Sequence, residues 1–224
     1  MTPDPDSRKN KIIIVDDHPL VREWLSNLIN QQPDLMVCGE AGTAPDGLKL
    51  IATAKPRVAI VDLSLQPDSG VELIKDIKAT CPETAVLVLS MHEELFYVER
   101  ALRAGAWGYI MKREATRNVL QAIRSVLEGK PYFSAEIAAM MAEKFVEGKL
   151  PATASPPDLL SDRELQVFQL LGRCRSTRQI AEEMHISFRT VQSFCTRIKA
   201  KLKLSSASEL LREAVRWQDR QDKI

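Results

Sequence analysis

Lys11-Ile-Ile-Ile-Val-Asp-Asp17 decides the fold: it is a short β-branched run that ends on two carboxylates. Three more runs share the plan, Val58-Ala-Ile-Val-Asp62, Val86-Leu-Val-Leu-Ser90 and Tyr109-Ile-Met-Lys112. Laid side by side as parallel strands, they bring Asp16, Asp17, Asp62, Ser90 and Lys112 to one edge of a sheet. In open α/β sheets that carboxyl edge is where ligands bind, beside the point at which the strand order reverses. The residue types indicate the ligands. Carboxylates suit a hard cation such as Mg²⁺, an aspartate can accept a phosphoryl group, and a hydroxyl and an ammonium can neutralise phosphoryl oxygens.

Outward from these runs, Lys11 to Gly129 alternates β-branched segments with helix-period segments, the signature of βαβ units and a parallel sheet. Strands are expected near 11–15, 36–41, 58–62, 85–90 and 108–111. Helices are expected near 19–32, 46–54, 69–80, 93–105 and 115–128. Pro33, Gly42, Pro56, Gly70, Pro82, Gly105 and Gly129 punctuate the boundaries. The first, third and fourth strands are almost wholly apolar, as strands covered on both faces must be, whereas the second alternates and reads as an edge.

After a further helical stretch at 134–147, Gly148-Lys-Leu-Pro-Ala-Thr-Ala-Ser-Pro-Pro157 reads as a linker. Beyond it, Ser161-Asp-Arg-Glu164, Ser176-Thr-Arg-Gln179 and Ser206-Ala-Ser-Glu209 carry the capping-box pattern, and Ser187 suits a helix cap. Four helices follow near 162–171, 177–184, 188–203 and 207–216. Short helices with tight turns and no strands suggest a helix-turn-helix domain with its turn at Met184-His-Ile-Ser187.

The formal charge of +1 over 224 residues hides an asymmetry. Residues 159–224 hold 13 Lys/Arg against 8 Asp/Glu, net +5, and the residues before them hold 18 against 22, net −4. The C-terminal part is therefore the better candidate for meeting a polyanion. Cysteines 38, 81, 174 and 195 show no metal-binding spacing and read as small buried hydrophobes in a reducing compartment. No apolar run approaches the ~18 residues of a membrane span, so the expectation is a soluble, cytoplasmic protein without a membrane partner.

Val15-Asp-Asp-His-Pro-Leu-Val-Arg22, Val61-Asp-Leu-Ser64, Leu89-Ser90 and Gly105-Ala-Trp-Gly-Tyr-Ile-Met-Lys112 resemble the receiver domain of two-component response regulators. The resemblance implies a flavodoxin-like (βα)5 domain over 10–130 in which Asp62 accepts phosphate from a sensor histidine kinase. It implies that Asp17, Asp62 and the main-chain carbonyl of Ser64 ligate Mg²⁺ with help from Asp16, that Ser90 and Lys112 contact the phosphoryl oxygens, and that Tyr109 is an aromatic switch. His18 reads as a loop or helix-start histidine and stays outside the site. Pro67 stands one place later than the family's usual proline, and Arg113 stands where many receivers have proline.

Leu160-Ser-Asp-Arg-Glu-Leu165, Ser176-Thr-Arg-Gln-Ile-Ala-Glu-Glu183 and Ile186-Ser-Phe-Arg-Thr-Val191, with Arg197-Ile-Lys-Ala-Lys-Leu202, resemble the LuxR-type DNA-binding domain of the NarL/FixJ subfamily. An all-α domain over 159–220 would follow a helical segment and Pro-rich linker at 131–158. Helix 188–203 carries Arg189, Arg197, Lys199, Lys201 and Lys203 with no acid, while Val191, Ile198 and Leu202 form an inward stripe. In such a motif the second helix enters the major groove of double-stranded DNA. Arg189 would join the family-matched candidates Gln192, Ser193, Thr196 and Arg197, with Lys201 on the phosphate backbone. Phe194 stands where many members have histidine, and Cys174 where many have glycine.

The expected function is a phosphorylation-controlled transcription regulator that forms a homodimer when phosphorylated. An enzyme using Asp62 as a covalent nucleophile is the alternative, but the short βα connections leave no substrate-sized cap. A third reading, a DNA-binding protein with a vestigial receiver, is opposed by the intact set of reactive groups.

Overall fold

The computed structural model describes residues 9–65, 69–91, 95–146 and 159–221. The expected Pro-rich linker and Pro67 lie outside the described residues. The chain divides into two compact units, with the division at 150/151.

In the first unit the sequence alternation folds as β1 (Asn10–Val15), α1 (Pro19–Asn30), β2 (Leu35–Ala41), α2 (Ala44–Ala54), β3 (Val58–Asp62), α3 (Gly70–Thr80), β4 (Ala85–Ser90), α4 (Leu95–Ala104), β5 (Gly108–Met111), α5 (Ala115–Leu127), β6 (Tyr132–Phe133) and α6 (Ala135–Val146). The strands form one parallel sheet in the order β2-β1-β3-β4-β5-β6. β2 is an edge, as its mixed pattern suggested. The other edge was not foreseen, because Tyr132 and Phe133 add a sixth strand beside Gly108 and Tyr109. Both β6 and α6 belong to this first unit.

Side-chain alternation along the strands sends Ile12, Ile14, Val58, Ile60, Leu87, Leu89 and Ile110 to one face, where Leu25 and Ile29 of α1 and Val119 and Ile123 of α5 cover them. The opposite face includes Val15, which lies directly under Gly47 of α2. β1, β3, β4 and β5 are buried on both faces, so they are apolar runs with charged residues only at their ends, whereas the edge strand β2 carries the exposed Glu40. Helix starts follow local chemistry. Pro19 opens α1, Thr43 Oγ1 accepts from Asp46 N at α2, and Ser69 Oγ accepts from Glu72 N at α3.

The second unit comprises α7 (Asp162–Gly172), α8 (Thr177–Glu183), α9 (Phe188–Leu202) and α10 (Ala207–Gln221). The Ser161/Glu164 and Ser176/Gln179 capping boxes both close reciprocally. At α10 the pattern differs: Ser206 Oγ accepts from Glu209 N, but the Glu209 carboxylate accepts from Ser205 N and Oγ. The sequence expectation ended α10 at 216. It continues to Gln221 because Trp217 extends the buried series Leu210, Ala214 and stacks obliquely on Phe168 of α7.

Three left-handed residues, Cys174, His185 and Lys203 (φ 55°), end α7, α8 and α9 before the turns. Cys174 (φ 58°) and His185 (φ 53°) both sit at C′ of Schellman caps, in which Arg175 N donates to Leu170 O and Ile186 N donates to Ala181 O. This explains why glycine suits the position that Cys174 occupies. It also corrects the expectation for the cysteines. All four are free, Cys174 is exposed, and Cys38, Cys81 and Cys195 are only partly covered.

Candidate functional site

Four strand ends build an acidic pocket. Asp16 directly follows β1, Asp62 ends β3, Ser90 ends β4 and Lys112 follows β5. Asp16, Asp62 and Ser90 are buried, and Lys112 has only 11% of its side chain exposed. Its ammonium bridges two carboxylates, lying 2.8 Å from Asp16 Oδ2 and 2.8 Å from Asp62 Oδ2. Ser64 N donates to Asp62 Oδ1 at 3.0 Å, so the turn after β3 fixes the other oxygen. Behind the pocket, Arg22 Nη1 donates to the Asp16 carbonyl at 2.6 Å and anchors the loop to α1.

His18, which sequence reasoning set aside, belongs to this cluster. Its main-chain N–H donates to Asp16 Oδ1 at 2.9 Å, and its Nδ1 lies 2.8 Å from Asp17 Oδ1. Asp16, Asp17, His18 and Asp62 each place a ligand atom within 4.8 Å of the others. The signal was present in the sequence as the side chain next after the Asp16–Asp17 pair.

Burial raises the Asp62 pKa by penalising the charged form, Lys112 opposes this, and Asp16 adds to it. Burial would lower the Lys112 pKa, but the two carboxylates outweigh burial and hold it above the usual lysine value. The pocket also fits a divalent cation. Asp16 Oδ2 and Asp17 Oδ1 are buried and accept no hydrogen bond of good geometry, although Lys112 Nζ lies 2.8 Å from the first and His18 Nδ1 2.8 Å from the second. The carboxylate oxygens of Asp16, Asp17 and Asp62 within that cluster are the ligands that hard cations prefer.

Tyr109 lies fully buried on β5, on the sheet face opposite Ile110. Ser64 occupies the turn immediately after Asp62. Arg113, the residue after Lys112, makes an ion pair of 2.6 Å with Glu136 of α6.

The second unit presents a different surface. Val191 and Ile198 bury one side of α9, while Arg189, Gln192, Ser193, Thr196 and Arg197 together line a shallow concavity on the other. Two of the hydroxyls turn back onto the helix: Ser193 Oγ donates to Arg189 O and Thr196 Oγ1 to Gln192 O. The Arg197 guanidinium lies over the Phe194 ring, 5.1 Å from its centroid.

Lys201 has a partner that the sequence reading did not name. Its Nζ is 2.6 Å from Glu164 Oε2, and that oxygen also accepts from Ser161 N at 2.8 Å. Glu164 is 2% exposed. Burial pushes its pKa up, but Lys201 and the Ser161 donors prevail and hold it below the ordinary glutamate value. The last turn of α9 is thus tied to the first turn of α7.

Residues 12–124 match the family described as the response regulator receiver domain, and residues 158–214 match the bacterial regulatory proteins of the luxR family. The chain is 34% identical over 210 residues to the oxygen regulatory protein NreC of Staphylococcus haemolyticus, covering 92% of this chain and 97% of that one. A LuxR-family two-component response regulator from Aurantimonas sp. SI85-9A1 superimposes with a TM-score of 0.59 at 33% identity, over 62% of this chain and 99% of that one. RcsB from Salmonella enterica serovar Typhimurium, solved on promoter DNA with the phosphomimetic BeF3⁻, gives a TM-score of 0.58 at 25% identity over 91% and 97%. A flavodoxin-like receiver joined to a LuxR-type helix-turn-helix domain, with relatives matched over nearly the full chain, makes this protein a member of the NarL/FixJ family of DNA-binding two-component response regulators.

Proposed function

We propose that Asp62 is the phosphoacceptor and that a sensor histidine kinase is the donor. The observation that carries this reading is the Lys112 ammonium held 2.8 Å from Asp62 Oδ2 at the carboxyl edge of the sheet. In the transfer an Asp62 carboxylate oxygen attacks the phosphorus of a phosphohistidine, the P–N bond breaks, and its electron pair leaves with the imidazole. Lys112 and Ser90 then neutralise the phosphoryl oxygens. Asp16, Asp17, Asp62 and the main-chain carbonyl of Ser64 would hold Mg²⁺, which when bound supplies positive charge against the incoming phosphoryl group.

A phosphoryl group adds about −1.5 to −2 charge at neutral pH. We infer that it draws Lys112 and Ser90 away from their resting partners, with Tyr109 as the switch that repacks beneath α4, and that the phosphorylated protein dimerises. A structure of RcsB shows two dimers of that relative on two parallel DNAs, which supports a dimer as the DNA-bound form. The second unit then binds double-stranded DNA through Arg189, Gln192, Ser193, Thr196 and Arg197. Lys201 shares its charge with Glu164 and adds less to phosphate neutralisation than its position on α9 implies.

Among the described residues no helix is long and apolar enough to cross a membrane. We place the protein in the cytoplasm, where kinase and DNA are both accessible. The test is incubation with acetyl phosphate and Mg²⁺. Wild type should retain label and Asp62→Asn should not, whereas full labelling of that variant would overturn the assignment. Steady turnover of a metabolite phosphate would instead favour an enzymatic role.

A further inference from the structure

Arg197 is exposed on α9, and among the described residues its guanidinium makes no ion pair or hydrogen bond. What holds it is the half-buried Phe194 ring one turn earlier, 5.1 Å below, within the ~6 Å at which a cation and an aromatic face attract. Positions i and i+3 share a helix face, so the helix itself maintains the pairing.

We propose that Phe194 is a specificity-determining positioning residue: its ring holds the guanidinium of Arg197 at the place from which it reads a base edge. The proposal rests on the reading of Arg197 as a base-contacting residue. An unsupported arginine must give up most of its rotamer freedom to present a fixed fork, whereas one held over an aromatic ring has less of that freedom left to lose. A phenyl ring has no hydrogen to donate to a phosphate, so residue 194 serves here by orienting its neighbour. The geometry around it is consistent with this division. Ser193 and Thr196 donate their hydroxyl hydrogens to helix carbonyls and can only accept from DNA, which leaves Arg197, Gln192 and Arg189 as the side-chain donors of the concavity.

The experiment measures binding preference at every operator position, after selection of sites from random sequence, for the full-length wild type and for Arg197→Ala, Phe194→Leu, Phe194→Tyr and the double variant Phe194→Leu/Arg197→Ala. Thermal melting checks that each folds. Arg197→Ala should flatten preference at one base position. Phe194→Leu should weaken preference at that same position by about two- to fivefold, the size of an exposed cation–π contact, and should have no further effect there once Arg197 is alanine. Phe194→Tyr keeps a π face and should retain the preference. If Arg197→Ala flattens a position that Phe194→Leu leaves intact, the positioning role is overturned and base reading by Arg197 stands. If Phe194→Leu lowers affinity evenly over all sequences, the ring is structural and the proposal is likewise overturned. If Arg197→Ala flattens no position, the base-reading role fails and the proposal fails with it.

Discussion

Gly70→Ala should damage phosphorylation without touching any reacting group. Gly70 opens α3, and a Cβ there would lie 2.2 Å from the Asp62 carbonyl oxygen and 2.5 Å from Leu63 Cα. Both are backbone atoms, and Leu63 is fully buried, so no side chain can turn aside to make room. Restoring ordinary contact requires roughly 1 Å of movement between α3 and the end of β3, a shift of the kind that costs overpacked cores about 1–3 kcal/mol. The same movement displaces Asp62 relative to Lys112 and Asp16. A misplacement of about 1 Å can lower the rate of a positioned reaction by about 10²-fold. The assay is the initial rate of labelling by acetyl phosphate at saturating Mg²⁺, with urea unfolding in parallel. Gly129→Ala is the control. Gly129 has φ 74° with nothing within 4 Å of the added Cβ, so alanine there should cost about 1–2 kcal/mol of left-handed strain and leave labelling unchanged. Wild-type labelling by Gly70→Ala would refute the link between α3 packing and the position of Asp62.

Three other outcomes are expected. Lys201→Ala should destabilise the second unit by about 1–3 kcal/mol, less than the loss of a fully buried pair because Lys201 is 41% exposed; equal melting of variant and wild type would show that the pair is idle. Because the folded-state pKa of Glu164 is lowered, its contribution is complete above the ordinary glutamate value of 4.5 and is lost as pH falls through the lower folded value. Glu164→Gln should accordingly flatten that part of the acid limb in a series of urea titrations. Cys174→Gly should stabilise by about 0.5–1 kcal/mol, the relief of left-handed strain less the extra freedom of glycine in the unfolded chain, and thermal melting of the two proteins measures it.

The polar strand ends were legible because a parallel sheet buried on both faces tolerates polar residues only there, so Asp16, Asp62, Ser90 and Lys112 stood out against apolar runs. The helix starts were equally plain wherever Ser161, Ser176 or Ser187 could cap. β6 was not legible, since two residues between Pro131 and Ser134 carry no periodicity and are recruited only by the free edge of β5. The Lys201–Glu164 pair spans 37 residues, and no local pattern announces such a partner. The cysteines misled because composition favours burial of that residue type, whereas Cys174 is fixed by the backbone of a helix cap and faces solvent. His18 was discounted as a single side chain; its place in the cluster comes from the turn that folds it back over the two aspartates.

The tie between Lys201 and Glu164 bears on how such a protein diversifies. It holds the recognition helix to α7 through a residue outside the Arg189–Arg197 concavity. If, as proposed, residues 192, 193, 196 and 197 contact DNA, substitutions among them would alter which operator is read while the tie of α9 to α7 is kept. Duplicated copies of this gene could acquire new target promoters through a few exposed positions, with the fold and its phosphorylation input inherited unchanged.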